Sequence, residues 1–544
     1  MKPSTRALSG VPDAGKSTFM SYCSILMVAA FVLFTVLNVE LSNEIFSGFN
    51  SWILHNLSWY YVVIVSAVLG FSVWVAFSRY GDIRLGNDDE KPEFGFVAWF
   101  SMLFSCAIGT GLLFWSIGEP LMHFQGNPFL DMNGIEAATE SAARMAVKIT
   151  MFHWGLHGWA VYILVGLCLA YFCYRRGLPL TVRSGLYPLL GDKIYGPIGH
   201  AVDLLAIFST LFGTATTLGL GVSQMNAGLN YLFGVPVSTT TQVILIAFVS
   251  VVATLSAISG VGRGIKILSI WNIRLSLVLI AFFVFAGPTV FLMDLTVSSL
   301  GDYVATFIPM GFWVDLDAER QWQGWWTIFY WGWWLSWGPL VGMFIARISR
   351  GRTVRQFLLT ALVMPPLGGF LWIIVFGGTA LNIELLNAGH LTQVVNENIT
   401  LSLYSTIEAI GVDSMTQAMA VLSTLLIVTW FVTSADSGTL VICTIVSQGD
   451  THPARSLRII WGLGLGGVAL ALLLAGGLDA LKTATIIAAL PFSVVLTFMC
   501  WALVKGFQDE RSGITYNAND LAKPVVSTDV VTSKLAEGEA ALAD

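Results

Sequence analysis

Long apolar runs separated by short polar stretches fill almost the whole of this 544-residue chain. About 20 helical residues at 1.5 Å rise cover the ~30 Å hydrocarbon core of a bilayer. By that length the pattern predicts twelve helical spans, near residues 20–39, 58–78, 95–121, 145–174, 198–232, 241–259, 265–292, 324–346, 356–379, 415–447, 457–476 and 483–505. Two linkers are too long for simple turns: 293–323, with room for an interfacial helix, and 380–414.

The basic residues test this count. Of 27 Lys and Arg residues, 22 fall in alternate loops: before span one, after each even-numbered span, and in the C-terminal tail. The opposite loops 40–57, 122–143, 233–240 and 380–414 carry none. Lys and Arg concentrate in cytoplasmic loops, so both termini are expected on the cytoplasmic side of the cell (inner) membrane. One miscounted span would break the alternation.

Composition agrees with the pattern. The chain is 56% hydrophobic and 11% charged, with a mean hydropathy of +0.75. Soluble domains carry about 25% charged residues, so most of this surface faces lipid. No basic block suggests nucleic acid. The six cysteines sit in or beside apolar runs and read as packed free thiols. No cleavable leader is expected, since the first nineteen or so residues are polar and the first apolar run is long enough to span.

Two motifs are decoys. Gly10 to Ser17 (GVPDAGKS) fits a phosphate-binding loop, but no strand feeds it and a span follows at once. His153 and His157 share a helical face at metal-pair spacing, yet no third ligand completes a site on that helix. No catalytic set of an enzyme is visible.

Tryptophan carries more information. Trp322, Trp325, Trp326, Trp331, Trp333, Trp334 and Trp337 fall within sixteen positions. The first three fit an interfacial belt; Trp333, Trp334 and Trp337 lie about 15 Å into span eight. Trp154, Trp159 and Tyr162 form a second group in span four. These rings are either ordinary packing and lipid-facing aromatics or a cage for a methylated onium head. Such a head has no N–H to donate and is held by aromatic faces at roughly 0.5–2 kcal/mol per ring. Span three is interrupted by Ala107-Ile108-Gly109-Thr110-Gly111. Paired glycines make unwinding cheap, and unwound backbone at membrane depth lines cavities; close helix packing on small residues is the other reading.

Four segments resemble the betaine–choline–carnitine transporter family: HWGLHGWAVY (His153 to Tyr162), FGTATTLGLG (Phe212 to Gly221), FYWGWWLSWGPLVGMFIARISRGRT (Phe329 to Thr353) and VTSADSG (Val432 to Gly438). The resemblance covers all twelve spans. It implies an all-α polytopic membrane protein with a 5+5 inverted repeat preceded by two extra helices. The expected layout is an N-terminal arm (1–19), two additional helices (20–93), a first repeat (94–292), an interfacial helix region (293–323), a second repeat (324–506) and a C-terminal tail (507–544). It also implies a homotrimer in a lipid bilayer, and a secondary symporter working by alternating access.

In that family Trp154, Trp159, Tyr162, Trp333, Trp334 and Trp337 match the aromatic box, and Ala107, Ile108, Gly109 and Gly111 the unwound stretch facing the solute's carboxylate. Sodium-coupled members imply one Na⁺ held by the Thr433 and Ser434 hydroxyls with the carbonyls of Ser105, Ile108 and Trp430. A second ion maps to Thr210 and Thr214. Hydroxyl and carbonyl oxygens suit a hard cation without any family argument. No other cofactor is expected.

Two departures, at Ala107 and Arg274, and the presence of Gly111 sharpen the expectation. Ala107 replaces the first glycine of the betaine carriers' Gly-x-Gly-x-Gly. Gly111 stands where choline carriers tend to have an acid, which favours a zwitterion: glycine betaine, carnitine or dimethylsulfoniopropionate. Arg274 puts a charge inside span seven, for which Asp203 is the expected partner. Proton-coupled choline transport and sodium-independent exchange are the alternatives within the family, and an onium sensor or channel lies outside it. The tail from Phe507 lacks the basic arm of osmosensing relatives, so constitutive uptake is expected.

Overall fold

The computed structural model describes residues 14–106, 109–259, 264–317, 320–386, 390–514 and 516. Fourteen longer helices account for most of them: α1 Ala14–Leu37, α2 Val39–Phe77, α3 Phe96–Cys106, α4 Thr110–Gln125, α5 Glu140–Trp154, α6 Leu156–Ala170, α7 Pro197–Phe233, α8 Thr239–Ser259, α9 Gly264–Ala286, α10 Thr289–Gly311, α11 Phe329–Ile348, α12 Val354–Leu385, α13 Asp413–Val446 and α14 Arg455–Arg511. Only an isolated Arg84–Thr353 bridge is β-like among the described residues. Nine helical segments there are long and apolar enough to cross a membrane.

Two predicted spans are broken, two are merged and one opens irregularly. Span three stops at Cys106 and restarts at Thr110 through an extended Gly109; Ala107 and Ile108 lie outside the described residues. Span four divides at Gly155 (φ −95°, ψ −147°) into α5 and α6, a break the apolar pattern does not show. The last two predicted spans run together as α14, bent at Gly476 and Gly477, whose backbone leaves the helical region. Span eight opens with a wide π-helical turn, Gly324–Ile328.

The centre is built on close contact between α6 and α11. A Cβ on Gly342 would fall 2.7 Å from Val165, and one on Gly166 would fall 3.1 Å from the Gly342 carbonyl. Inside a membrane, where lipid is as apolar as leucine, such small-residue contacts are what hold helices together. Around this pair α7 packs on α13 and α14, and α2 packs on α14 and α6.

The basic loops converge on one face. Arg175 pairs with Asp88 (2.8 Å) and Glu510, Arg350 with Glu90, and Arg355 with Asp82. Arg84 donates to the Gly351 carbonyl at 2.7 Å. Loops after predicted spans two, four and eight therefore meet the end of α14, and that helix continues to Arg511, past the expected start of the tail at 507. Asp203 belongs to this face. It accepts from the Arg183 backbone N–H at 3.0 Å and pairs with the Arg183 guanidinium at 3.2 Å, both side chains buried. The expected Asp203–Arg274 pair is therefore wrong: Arg274 is exposed and lies 5.3 Å from the Trp271 ring. Ten residues of helical depth did not place it inside the bundle, because α9 turns that side outward.

The long linker holds α10, beginning at Thr289, earlier than the expected 293. The phosphate-loop look-alike falls mostly outside the described residues. Five cysteines are free thiols, with Cys168 and Cys443 fully buried; nothing is described of the Cys106 side chain.

Candidate functional site

A cavity opens where α4, α6 and α11 meet. It is lined by Gly109, Gly111, Leu112, Trp154, Gly158, Trp159, Tyr162, Thr217, Trp333, Trp334, Trp337, Val341 and Gly369. It encloses about 70 Å³, on a measure in which one water takes roughly 10–15 Å³. Several waters or one compact solute fit.

The six rings expected from the sequence all line it. Trp333 and Trp334 lie parallel (5.2 Å between centroids, 8° between planes). Trp154 meets Trp334 edge-on at 4.9 Å and 70°, and Trp333 at 6.0 Å and 78°. Tyr162 stands edge-on to both Trp159 and Trp334. The rings present faces and edges at right angles, so a cation can meet π-faces from more than one side.

Missing side chains make this possible. A Cβ at Gly111 would sit 2.5 Å from Trp333 Cη2, one at Gly158 2.6 Å from Trp334 Cδ1, and one at Gly213 2.7 Å from Trp337 Cδ1. Each glycine is the seat of an indole. Gly109, at the helix break, faces open space.

A polar cluster supports the rings from behind. Glu119 of α4 is fully buried. One oxygen, Oε1, accepts from His153 Nδ1 at 2.6 Å and lies 3.4 Å from His123 Nε2. The other, Oε2, accepts from Trp154 Nε1 at 3.1 Å and from the Tyr330 hydroxyl at 2.5 Å. Two histidines and a carboxylate form a metal-type donor set. Ligands bound at 2.0–2.1 Å around tetrahedral zinc lie roughly 3.3 Å apart. The 2.6 Å His153–Glu119 separation is instead that of a charge-assisted hydrogen bond. His153 and His157 do not act as a pair: His153 bonds to Glu119 of another helix and to Thr327, and His157 stacks on Trp331.

Of the three tryptophans expected at an interface, Trp325 is 65% exposed, Trp322 is half-buried, and Trp326 is buried, 4.5 Å from His123 and 5.4 Å from Trp115. A protein cation lies one ring away from the cage. Lys482 Nζ is 5.0 Å from the Trp115 centroid and 5.1 Å from Phe329, which stacks on Trp333.

Of the candidate ion ligands, Thr433 accepts from Asn272 Nδ2 at 3.3 Å and donates to the Thr429 carbonyl at 2.8 Å. Ser434 is half-buried one position on, and Trp430 is buried against Trp372. Ser105 lies in the last turn of α3, and Ile108 lies outside the described residues. Thr210 and Thr214 are fully buried on α7, and neither hydroxyl has a hydrogen-bond partner among the described residues. Gly438 of α13 lies against Thr214.

Sequence reasoning missed Glu119, His123 and Tyr330. The available signal was Glu119 itself, an acid inside an apolar run, which is a functional residue by default.

An all-helical bundle of membrane-crossing length, enclosing a solute-sized aromatic cavity at its centre, defines a polytopic membrane carrier. Residues 19–512 match the model described as "BCCT, betaine/carnitine/choline family transporter". The chain is 42% identical over 502 residues to the glycine betaine transporter OpuD of Bacillus subtilis, covering 92% of this chain and 96% of that one. It is 40% identical to a glycine betaine transporter of Acinetobacter baylyi (89% and 72% covered) and 40% identical to the high-affinity choline transport protein of Escherichia coli (90% and 72%). The chain belongs to the betaine/carnitine/choline transporter family; it is a multi-pass membrane transporter and not an enzyme.

Proposed function

We propose that this protein imports a small methylated onium zwitterion, glycine betaine or a close analogue, by sodium-driven symport with alternating access. The observation that carries this reading is the right-angled cage of Trp154, Trp333, Trp334 and Tyr162 around a compact cavity. A quaternary head offers methyls and diffuse charge, which these faces attract and hydrogen-bond acceptors cannot. The names of the relatives, betaine and choline transporters, point to the same head group.

A zwitterion is favoured over choline by Gly111. Its missing side chain is the space occupied by Trp333, so an acid there would displace a cage ring in this conformation. The carboxylate end of the solute faces the interruption at Gly109. Carnitine and dimethylsulfoniopropionate present the same two ends.

Sodium is proposed at two places. Thr433 and Ser434 with the carbonyls of Ser105, Ile108 and Trp430 would supply an all-oxygen set, and Thr210 with Thr214 supplies buried hydroxyls that have no hydrogen-bond partner among the described residues. Twelve spans, the 5+5 inverted repeat, cytoplasmic termini and a homotrimer through α10 complete the reading. The gathering of the basic loops on one face supports the sidedness.

Uptake of labelled glycine betaine, choline, carnitine and dimethylsulfoniopropionate into proteoliposomes, with and without a sodium gradient, tests the substrate and the driving ion. Concentrative, sodium-dependent uptake of a zwitterion is expected. Proton-driven uptake of choline alone would overturn both the substrate and the ion.

A further inference from the structure

Three polar handles of the aromatic layer end on one place. Trp154 Nε1 and the Tyr330 hydroxyl both donate to Glu119 Oε2. Trp334 Nε1 donates to the backbone carbonyl of His153 at 2.9 Å, and the His153 side chain is itself bound to Glu119 Oε1. Tyr330 lies nearly parallel to Trp333 (26°) and to Trp334 (27°), and Trp154 stands edge-on to both. Neither Glu119 nor Tyr330 lines the cavity.

An indole or phenol in an apolar pocket is free to rock about χ2, where the torsional well is broad. A hydrogen bond from its polar end to a fixed, buried acceptor removes that freedom, since leaving the buried donor unmade is costly. A carboxylate has about four acceptor sites, and Glu119 accepts from three donors, His153, Trp154 and Tyr330, with His123 Nε2 3.4 Å from Oε1. A carboxylate so placed satisfies itself only when the rings hold one orientation. His123, against Trp322 and Trp326, and His153, with Thr327 Oγ1 at 3.1 Å, close the cluster from the far side.

We propose that Glu119 is the positioning residue of the solute cage. It never touches the solute, and it sets affinity for the methylated head by fixing Trp154 and Tyr330 directly and Trp334 through His153. The proposal rests on the cage reading above.

Substitutions separate its parts, each measured as KM and Vmax for labelled glycine betaine uptake by the full-length protein in proteoliposomes. Glu119→Gln keeps an oxygen toward Trp154 and Tyr330 and turns its amide toward His153, whose Nδ1 becomes the acceptor by a tautomer change. It is expected to stay within about three-fold of wild type. Glu119→Ala frees both rings and is expected to raise KM by about ten-fold with less change in Vmax. Tyr330→Phe keeps the ring but removes its anchor, and a KM rise of about three-fold is expected even if the alanine variant fails to insert. Equal loss in Glu119→Gln and Glu119→Ala would overturn the proposal, because charge and not bonding pattern would then matter. So would wild-type KM in both Glu119→Ala and Tyr330→Phe while Trp333→Ala is impaired. Wild-type KM in Trp333→Ala would instead refute the cage itself.

Discussion

Trp333 is buried, yet its Nε1 has no hydrogen-bond partner among the described residues. Its place is fixed by stacking on Trp334 and by the space at Gly111. Removing this ring with Trp333→Leu deletes one cation–π face, worth roughly 0.5–2 kcal/mol when desolvated. Half-saturation for betaine should rise by about two- to thirty-fold, read as uptake KM. Gly111 tests the same ring from the other side. In Gly111→Ala the new methyl meets the far end of a large rigid side chain, so betaine uptake should weaken by about five-fold or more. In Gly111→Asp betaine uptake should fall further while choline competes better than it does against wild type, since a bare cation gains a counter-charge. Equal competition by choline in both proteins would remove the argument for a zwitterion. At this scale the sequence was informative wherever a residue was out of place on its own helix. Indoles too deep for a belt identified the cage. Glu119 was out of place in the same sense, an acid inside an apolar run, but its grouping with His123 and Tyr330 was not legible, because the cluster is assembled from three separate helices.

Gly155 marks where helix-level reading ran out. The apolar run from 145 to 174 is unbroken, and hydropathy has no term for a glycine whose neighbour needs a new acceptor. The Leu156 N–H, freed at the break, donates to the Tyr303 hydroxyl of α10 at 2.9 Å. A helix outside the core thereby caps the start of α6, which carries Trp159 and Tyr162. Tyr303→Phe strands that donor in a partly buried site. Leaving such a group unmade costs about 1–3 kcal/mol, so thermal unfolding in detergent should begin at lower temperature and betaine KM should rise. An unchanged melting curve would mean that another acceptor takes the bond. The Arg183–Asp203 pair makes a larger contrast. Breaking one side of a buried pair costs about 3–5 kcal/mol, whereas replacing both sides with apolar residues is often neutral. Arg183→Met should therefore be strongly destabilised, and Arg183→Met combined with Asp203→Leu should recover much of the loss. Both would be followed by thermal unfolding. If the double variant is as weak as the single one, the pair does more than compensate charge.

Alternating basic loops indicated which ends of the helices share a side, and the contacts among Arg84, Arg175, Arg350 and Arg355 bring those ends together. What the chain does with neighbouring copies is a property of its outer surface. Along α10, Val290, Met293, Val297, Val304 and Ile308 are all more than half exposed, with Gly301 between the last three. Their steps of three, four and seven residues keep them on one stripe of a helix. The opposite side is buried: Leu292, Leu295, Ser299 and Tyr303 face the bundle. Lipid would tolerate such a stripe, so exposure alone does not require a partner. The Tyr303 cap makes the difference. A neighbouring copy seated on the stripe would add a restraint on α10, which in turn supports the break before α6. A trimer seated on this stripe predicts that Val297→Glu with Val304→Glu, two charges on the packed face, releases monomers in native mass spectrometry. The same variant should show a raised betaine KM, because Tyr303 then moves with a less restrained helix. Monomers with unchanged KM would separate assembly from the cage. Intact trimers would show that the copies meet elsewhere and leave the stripe to lipid.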